Sequence, residues 1–73
     1  MAEMKAVTID SGEQSFIIES METGDTWSFH VKDGKVMMKG VVWRSGRIPD
    51  DAESHTDKAR IAAADYAEDE GWI

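Results

Sequence analysis

The residues best able to bind a metal alternate along Asp51-Ala52-Glu53-Ser54-His55-Thr56-Asp57, where carboxylates and an imidazole recur at every second position. Such oxygen-rich runs hold calcium when a glycine at the sixth position turns the loop and a glutamate closes it at the twelfth. Counted from Asp51, those positions hold Thr56 and Ala62, so the run reads as a solvated connector leading into a helix. His30 has no second histidine near it in sequence and reads as a surface residue. With no cysteine, thiolate chemistry, disulfides and thiolate metal sites are excluded. No serine lies in a G-x-S-x-G turn, and the glycines at 34, 40 and 46 do not fit the G-x-x-x-x-G-K-[ST] phosphate loop. Paired carboxylates are plentiful, but a glycosidase needs a cleft between them that a chain of 73 residues is poorly able to form. The expectation is a protein without enzymatic activity, catalytic residues, bound metal or cofactor.

Charge is the stronger signal. The net charge is −7, and it is unevenly spread. Residues 1–31 hold six acids and one base, residues 32–47 five bases and one acid, and residues 48–73 eight acids and two bases. Binding to nucleic acid draws most of its strength from neutralised phosphates, so overall acidity opposes it and favours a basic partner. Glu68, Asp69 and Glu70 fall in the last turn of an expected helix, where the macrodipole disfavours anions, and Asp65 repels Asp69 at i,i+4 spacing. A sequence that breaks a local rule without compensation marks a surface used for something else. The acidic candidates are therefore Asp65, Glu68, Asp69 and Glu70, with Asp50, Asp51 and Glu53.

These side chains need a scaffold, and the sequence supplies one around Thr26 to Trp43. Asp33-Gly34 suits a two-residue type I′ turn, and the flanking alternation of apolar and polar residues suits a half-buried antiparallel pair. The implied register sets Lys32 against Lys35, Val31 against Val36, Phe29 against Met38 and Trp27 against Gly40. Trp27, Phe29, Val31, Val36 and Met38 then share the core face. Upstream, Met4 to Ile9 reads as a strand with Val7 and Ile9 on one side, ended by Asp10-Ser11-Gly12. Gln14 to Met21 reads as a second, with Phe16 and Ile18 on one face and Ile17 on the other.

Downstream, residues 44–54 form a connector holding the only proline. Ser54 or Thr56 is placed to cap a helix over residues 55–71, with Gly71 at the left-handed C′ position and Trp72 behind it. Ala59, Ala62, Ala63, Tyr66 and Ala67 make its buried stripe, Tyr66 is expected against Trp27 and Phe29, and Ile61 projects away. The expected fold is one α+β domain over residues 1–73: a four-stranded antiparallel meander over 1–43, then one helix on one face, in ββββα order.

One helix leaves the second sheet face bare. By the register it carries Ser28, His30, Lys32, Lys35, Met37, Lys39, Val41 and Trp43, unless a bulge at Gly40 turns the later residues round. With Arg44 and Arg47 this is a basic and apolar alternative binding face.

In size and acidity the chain looks like phage or mobile-element inhibitors, including DNA mimics and anti-CRISPR proteins. That resemblance implies that the acidic residues act as phosphate substitutes toward a basic, nucleic-acid-handling protein surface. The ββββα order is similar to that of the single-stranded-DNA-binding transcriptional coactivator family, whose dimers use a sheet face. This second resemblance implies nucleic-acid binding by Lys32, Lys35, Lys39, Arg44 and Arg47, with Trp43 stacking on a base. A third reading is an assembly subunit that self-associates through Met37, Val41 and Trp43. The longest apolar runs are too short to span a membrane, and MAEMKAVTID lacks the pattern of a signal peptide, so a cytoplasmic monomer or homodimer is expected.

Overall fold

A computed structural model describes residues 4–73; residues 1–3, included above in the sheet unit, lie outside the described residues. Strands β1 (Met4–Asp10), β2 (Ser15–Ser20), β3 (Thr26–Lys32) and β4 (Lys35–Val42) form one antiparallel sheet in the order β1-β2-β3-β4. A single helix, α1 (Ala52–Asp69), packs against it, giving the expected α+β architecture. The turn chemistry explains the meander. Asp33 and Gly34 both take positive φ, 55° and 74°, which is the type I′ turn that matches the twist of β3 and β4. At the β1–β2 turn the Asp10 carboxylate accepts the Gly12 N–H at 2.9 Å, and Gln14 takes the left-handed conformation.

Beneath the helix the core is Phe16, Ile18, Trp27, Phe29 and Val31 with Ala59, Ala63 and Ala67. Fully burying one large apolar side chain stabilises by about 1.5–3 kcal/mol, so Phe16, Ile18, Trp27 and Phe29 dominate the fold. Three alanines let the helix backbone approach the sheet closely. The aromatic rings fill what remains. Phe16 stacks on Phe29 with centroids 5.7 Å apart and meets Tyr66 at 4.9 Å and Trp72 at 6.0 Å. Tyr66 is therefore seated over Phe16 and hydrogen-bonded to the Thr8 hydroxyl, rather than over Trp27 and Phe29 as expected. The helix crosses toward β1 and β2, and crossing direction is a tertiary property.

Three of the four expected β3–β4 pairs are present: Lys32 with Lys35, Val31 with Val36 and Phe29 with Met38. The fourth is not. Lys39 is an inserted residue, Gly40 stands opposite Ser28, and Trp27 faces Val41. This bulge turns Val41 and Trp43 to the helix side, where Trp43 meets Trp27 edge-on at 5.8 Å. The energetic reason is plain: an unbulged strand would leave the Trp43 indole in water, whereas the bulge gives it an aromatic partner.

Helix α1 begins at Ala52, three residues before the expected start. Ala52 N–H donates to the Pro49 carbonyl at 3.1 Å and His55 N–H to the Asp51 carbonyl at 3.2 Å, so a turn at Pro49 starts the helix. Neither Ser54 nor Thr56 caps it, and the Asp51 side chain makes no capping bond. Thr56 instead accepts the Trp27 indole N–H at 3.1 Å, anchoring the helix to β3. The other end matches expectation. Gly71 (φ 76°) donates to the Glu68 carbonyl at 3.0 Å and Trp72 to the Ala67 carbonyl at 2.8 Å, the paired bonds of a Schellman cap.

Candidate functional site

Two exposed surfaces face away from the core: the outer side of α1 and the bare side of the sheet. On the helix the buried residues Ala59, Ala63 and Ala67 fix which side looks outward. Opposite them, Asp57, Ile61, Asp65 and Asp69 follow one another at i,i+4 steps, with Glu68 and Lys58 on the same side and Glu53 one step earlier on the flank. Each step advances about 6 Å along the axis, so the row, counted from Glu53, runs about 24 Å along the helix. Ile61 stands 65 % exposed in the middle of this row. It is neither marginal nor buried, and it gives the acidic face an apolar centre.

The structure brings only some of the acidic candidates together. Asp65, Glu68, Asp69 and Glu70 share the final turns, while Asp50, Asp51 and Glu53 lie at the opposite end, roughly 25 Å away along the axis. Asp57 bridges part of that gap. In the sequence Asp57 falls in the run that reads as a connector, although its i,i+4 relation to Glu53 and Ile61 is the signal that places it on the acidic face. Among the described residues the only contact at salt-bridge distance is His55 with Asp51, the imidazole Nε2 lying 2.9 Å from Oδ2. Asp57, Asp65, Glu68, Asp69 and Glu70 therefore have no internal counterion. No basic residue occupies the last turn either.

The Asp51–Asp57 run does not converge on a point. His55 is largely buried toward Asp51, whereas Glu53 and Asp57 are exposed on the outer side. Among the described residues no three His, Asp or Glu side chains are grouped so as to hold a metal ion.

The bare sheet face is ordered by register. Across its centre run Val7, Ile17, Ser28 and Gly40; beside them lie Lys5, Glu19, Thr26 and Val42 on one flank and Asp10, Ser15, His30 and Met37 on the other. Lys32 and Lys35 oppose each other at the hairpin tip, and Lys39 is exposed beside Gly40. Val7, Met37 and Val42 are exposed apolar residues here, and Ile17 is half-buried. Val41 and Trp43, expected on this face, are on the other side of the sheet. The basic face thus loses the one indole able to stack on a base and keeps His30, Lys32, Lys35, Met37 and Lys39.

Arg44 and Arg47 lie apart from it, in the segment after β4. Arg44 covers Gly24, and a Cβ at Gly24 would meet its Cδ at 2.7 Å. Nearby, the buried Asp25 carboxylate accepts the Arg44 N–H through Oδ1 and the Thr23 hydroxyl through Oδ2, both at 2.8 Å. Thr23, Asp25, Arg44, Ser45 and Pro49 line an open cleft of about 480 Å³. Its carboxylate is committed to joining the β2–β3 turn to the connector, so the cleft reads as a structural latch.

Comparison with known proteins finds no matching family model, no matching curated protein and no matching solved structure. Among the described residues no helix is long and apolar enough to cross a membrane.

Proposed function

We propose that this chain is a non-enzymatic, acidic protein-binding domain acting in the cytoplasm, whose outer helix face engages a basic, nucleic-acid-handling protein surface. Inhibitors of the phage or mobile-element kind, including DNA mimics and anti-CRISPR proteins, work in this way. The observation that carries the reading is the row Asp57, Ile61, Asp65, Glu68 and Asp69, exposed on one side of α1 and without internal counterions. Exposed carboxylates can substitute for phosphates, and guanidinium or ammonium groups that hold nucleic acid would accept them. Ile61 supplies an apolar contact of the kind that holds an interface once charge has steered it together. Loss of Trp43 from the sheet face weighs against nucleic-acid binding as the main activity.

The test is capture of partners from a host lysate with the wild-type protein and with Asp65→Lys/Asp69→Lys as parallel baits. The expected result is a partner retained by the first, lost by the second and displaced by added duplex DNA. Equal capture by both baits would show that the acidic face is not the contact surface.

A further inference from the structure

We propose that the bare sheet face docks the outer helix face of a second copy of this chain, giving head-to-tail association. The molecule carries two patches of opposite sign: Lys32, Lys35 and Lys39 outnumber Asp33 around the hairpin tip, and Asp57, Asp65, Glu68 and Asp69 outnumber Lys58 on the outer side of the helix. On the sheet, Lys32 sits directly opposite Lys35, an arrangement that cross-strand pairing disfavours. Along the helix, Asp65 and Asp69 repel, and the acids of the last turn oppose the macrodipole. No ion pair within the chain relieves either cluster among the described residues. A second copy relieves both at once.

Both clusters lie at one end of the molecule. Tyr66, in the late part of α1, packs on Phe16 and bonds Thr8, beside the β1–β2 turn. The Val31 N–H donates to the Gln14 carbonyl at 3.1 Å, so that turn adjoins the Asp33-Gly34 tip bearing Lys32 and Lys35. Stacking one copy on the next along the layer normal therefore brings the acidic turns of one helix near the lysines of the next sheet.

The surfaces also fit in shape. Ser28 and Gly40 leave the middle of the sheet face low, and a Cβ at Gly40 would meet nothing within 4 Å. Val7, Ile17, Met37 and Val42 surround this recess, and Ile61 is the apolar residue that projects from the helix. Face-to-face pairing of two sheets would leave the acidic turns of both helices unrelieved. Four strands and about six residues of each give roughly 400 Å² per partner, at the low end for specific contacts, so association is weak and needs high concentration. Because the two contacting surfaces differ, the contact propagates into a ring or a chain of copies.

The test is sedimentation of the 73-residue protein from micromolar to millimolar concentration with two charge-reversal variants, each checked for folding by circular dichroism. One is Asp65→Lys/Glu68→Lys/Asp69→Lys and the other Lys35→Glu/Lys39→Glu. The expected result is about a twofold or greater rise in average mass for the wild type, none for either variant alone, and a recovered rise when the two are mixed in equal amounts. Mixing restores opposite charge at each helix-to-sheet contact, and it is association of the wild type, in which only helix and sheet carry opposite charge, that identifies the pairing. The helix variant has a smaller net charge, which favours association in general, so its loss reports on the face itself. A wild type that stays monomeric, a helix variant that still associates through its sheets, or association seen only with added single-stranded oligonucleotide would overturn the proposal.

Discussion

Truncating Trp43 to alanine is the sharpest probe of how β4 is set. A tryptophan can bury about 150–250 Å², and Trp43 is half-buried, so the side chain removes roughly 100 Å² from water. At about 25 cal/mol per Å² this stabilises by some 2.5 kcal/mol. Its edge-on contact with Trp27, with centroids 5.8 Å apart, adds about 0.5–1.5 kcal/mol. Trp43→Ala is therefore expected to cost about 3 kcal/mol. A domain of this size has about 4–11 kcal/mol in all, so the variant should fold with a lowered midpoint. With a urea slope near 1 kcal/mol per M, that midpoint should fall by about 3 M, read by far-ultraviolet circular dichroism. The control is Val42→Ala, whose side chain is 66 % exposed on the opposite side and should change stability by less than about 0.5 kcal/mol. A neutral Trp43→Ala with a costly Val42→Ala would refute the bulge and return the indole to the bare face.

The double change Asp65→Lys/Asp69→Lys should raise stability by about 0.3–1 kcal/mol in thermal melts while losing the captured partner, since it places cations near the helix C-terminus where the dipole favours them, the i,i+4 repulsion being kept with its sign reversed; a destabilised variant would mean these acids serve the fold. Gly71→Ala forces a β-carbon into φ 76° at the C-terminal cap and should cost about 1 kcal/mol by urea titration. Asp25→Ala strands the Arg44 N–H and the Thr23 hydroxyl beside a buried position and should cost about 2–3 kcal/mol, whereas an unchanged midpoint would show that the latch is not needed.

The strands and helix were legible because their signals are local. Asp33-Gly34 declares its turn, the alternation of Trp27, Phe29 and Val31 declares a face, and Gly71 declares a helix end. What escaped the sequence depends on contacts between elements. Gly40 marks where a bulge can form and turn Trp43 round, but it does not decide that one forms, because the gain lies in Trp43 reaching Trp27, sixteen positions away in the chain. Ser54 and Thr56 have the chemistry of caps, yet the turn at Pro49 starts the helix earlier and Thr56 is taken by the Trp27 indole. The acidic face was half legible. Its last-turn acids stand out by breaking the dipole rule, but the central place of Ile61 needed the buried alanines to define the outward direction.

The order of elements along the chain also governs how the protein leaves the ribosome. All four strands are made before α1, and nearest-neighbour hairpins can pair as soon as they emerge. Their apolar side, Phe16, Ile18, Trp27 and Phe29, then has no cover until the three alanines and Trp72 follow. During that interval the nascent sheet is open on both sides and depends on dilution or a chaperone to escape association with its neighbours. The same apolar side is what the folded protein exposes whenever α1 lifts from the sheet, so loosening of the helix is the step that opens it to association.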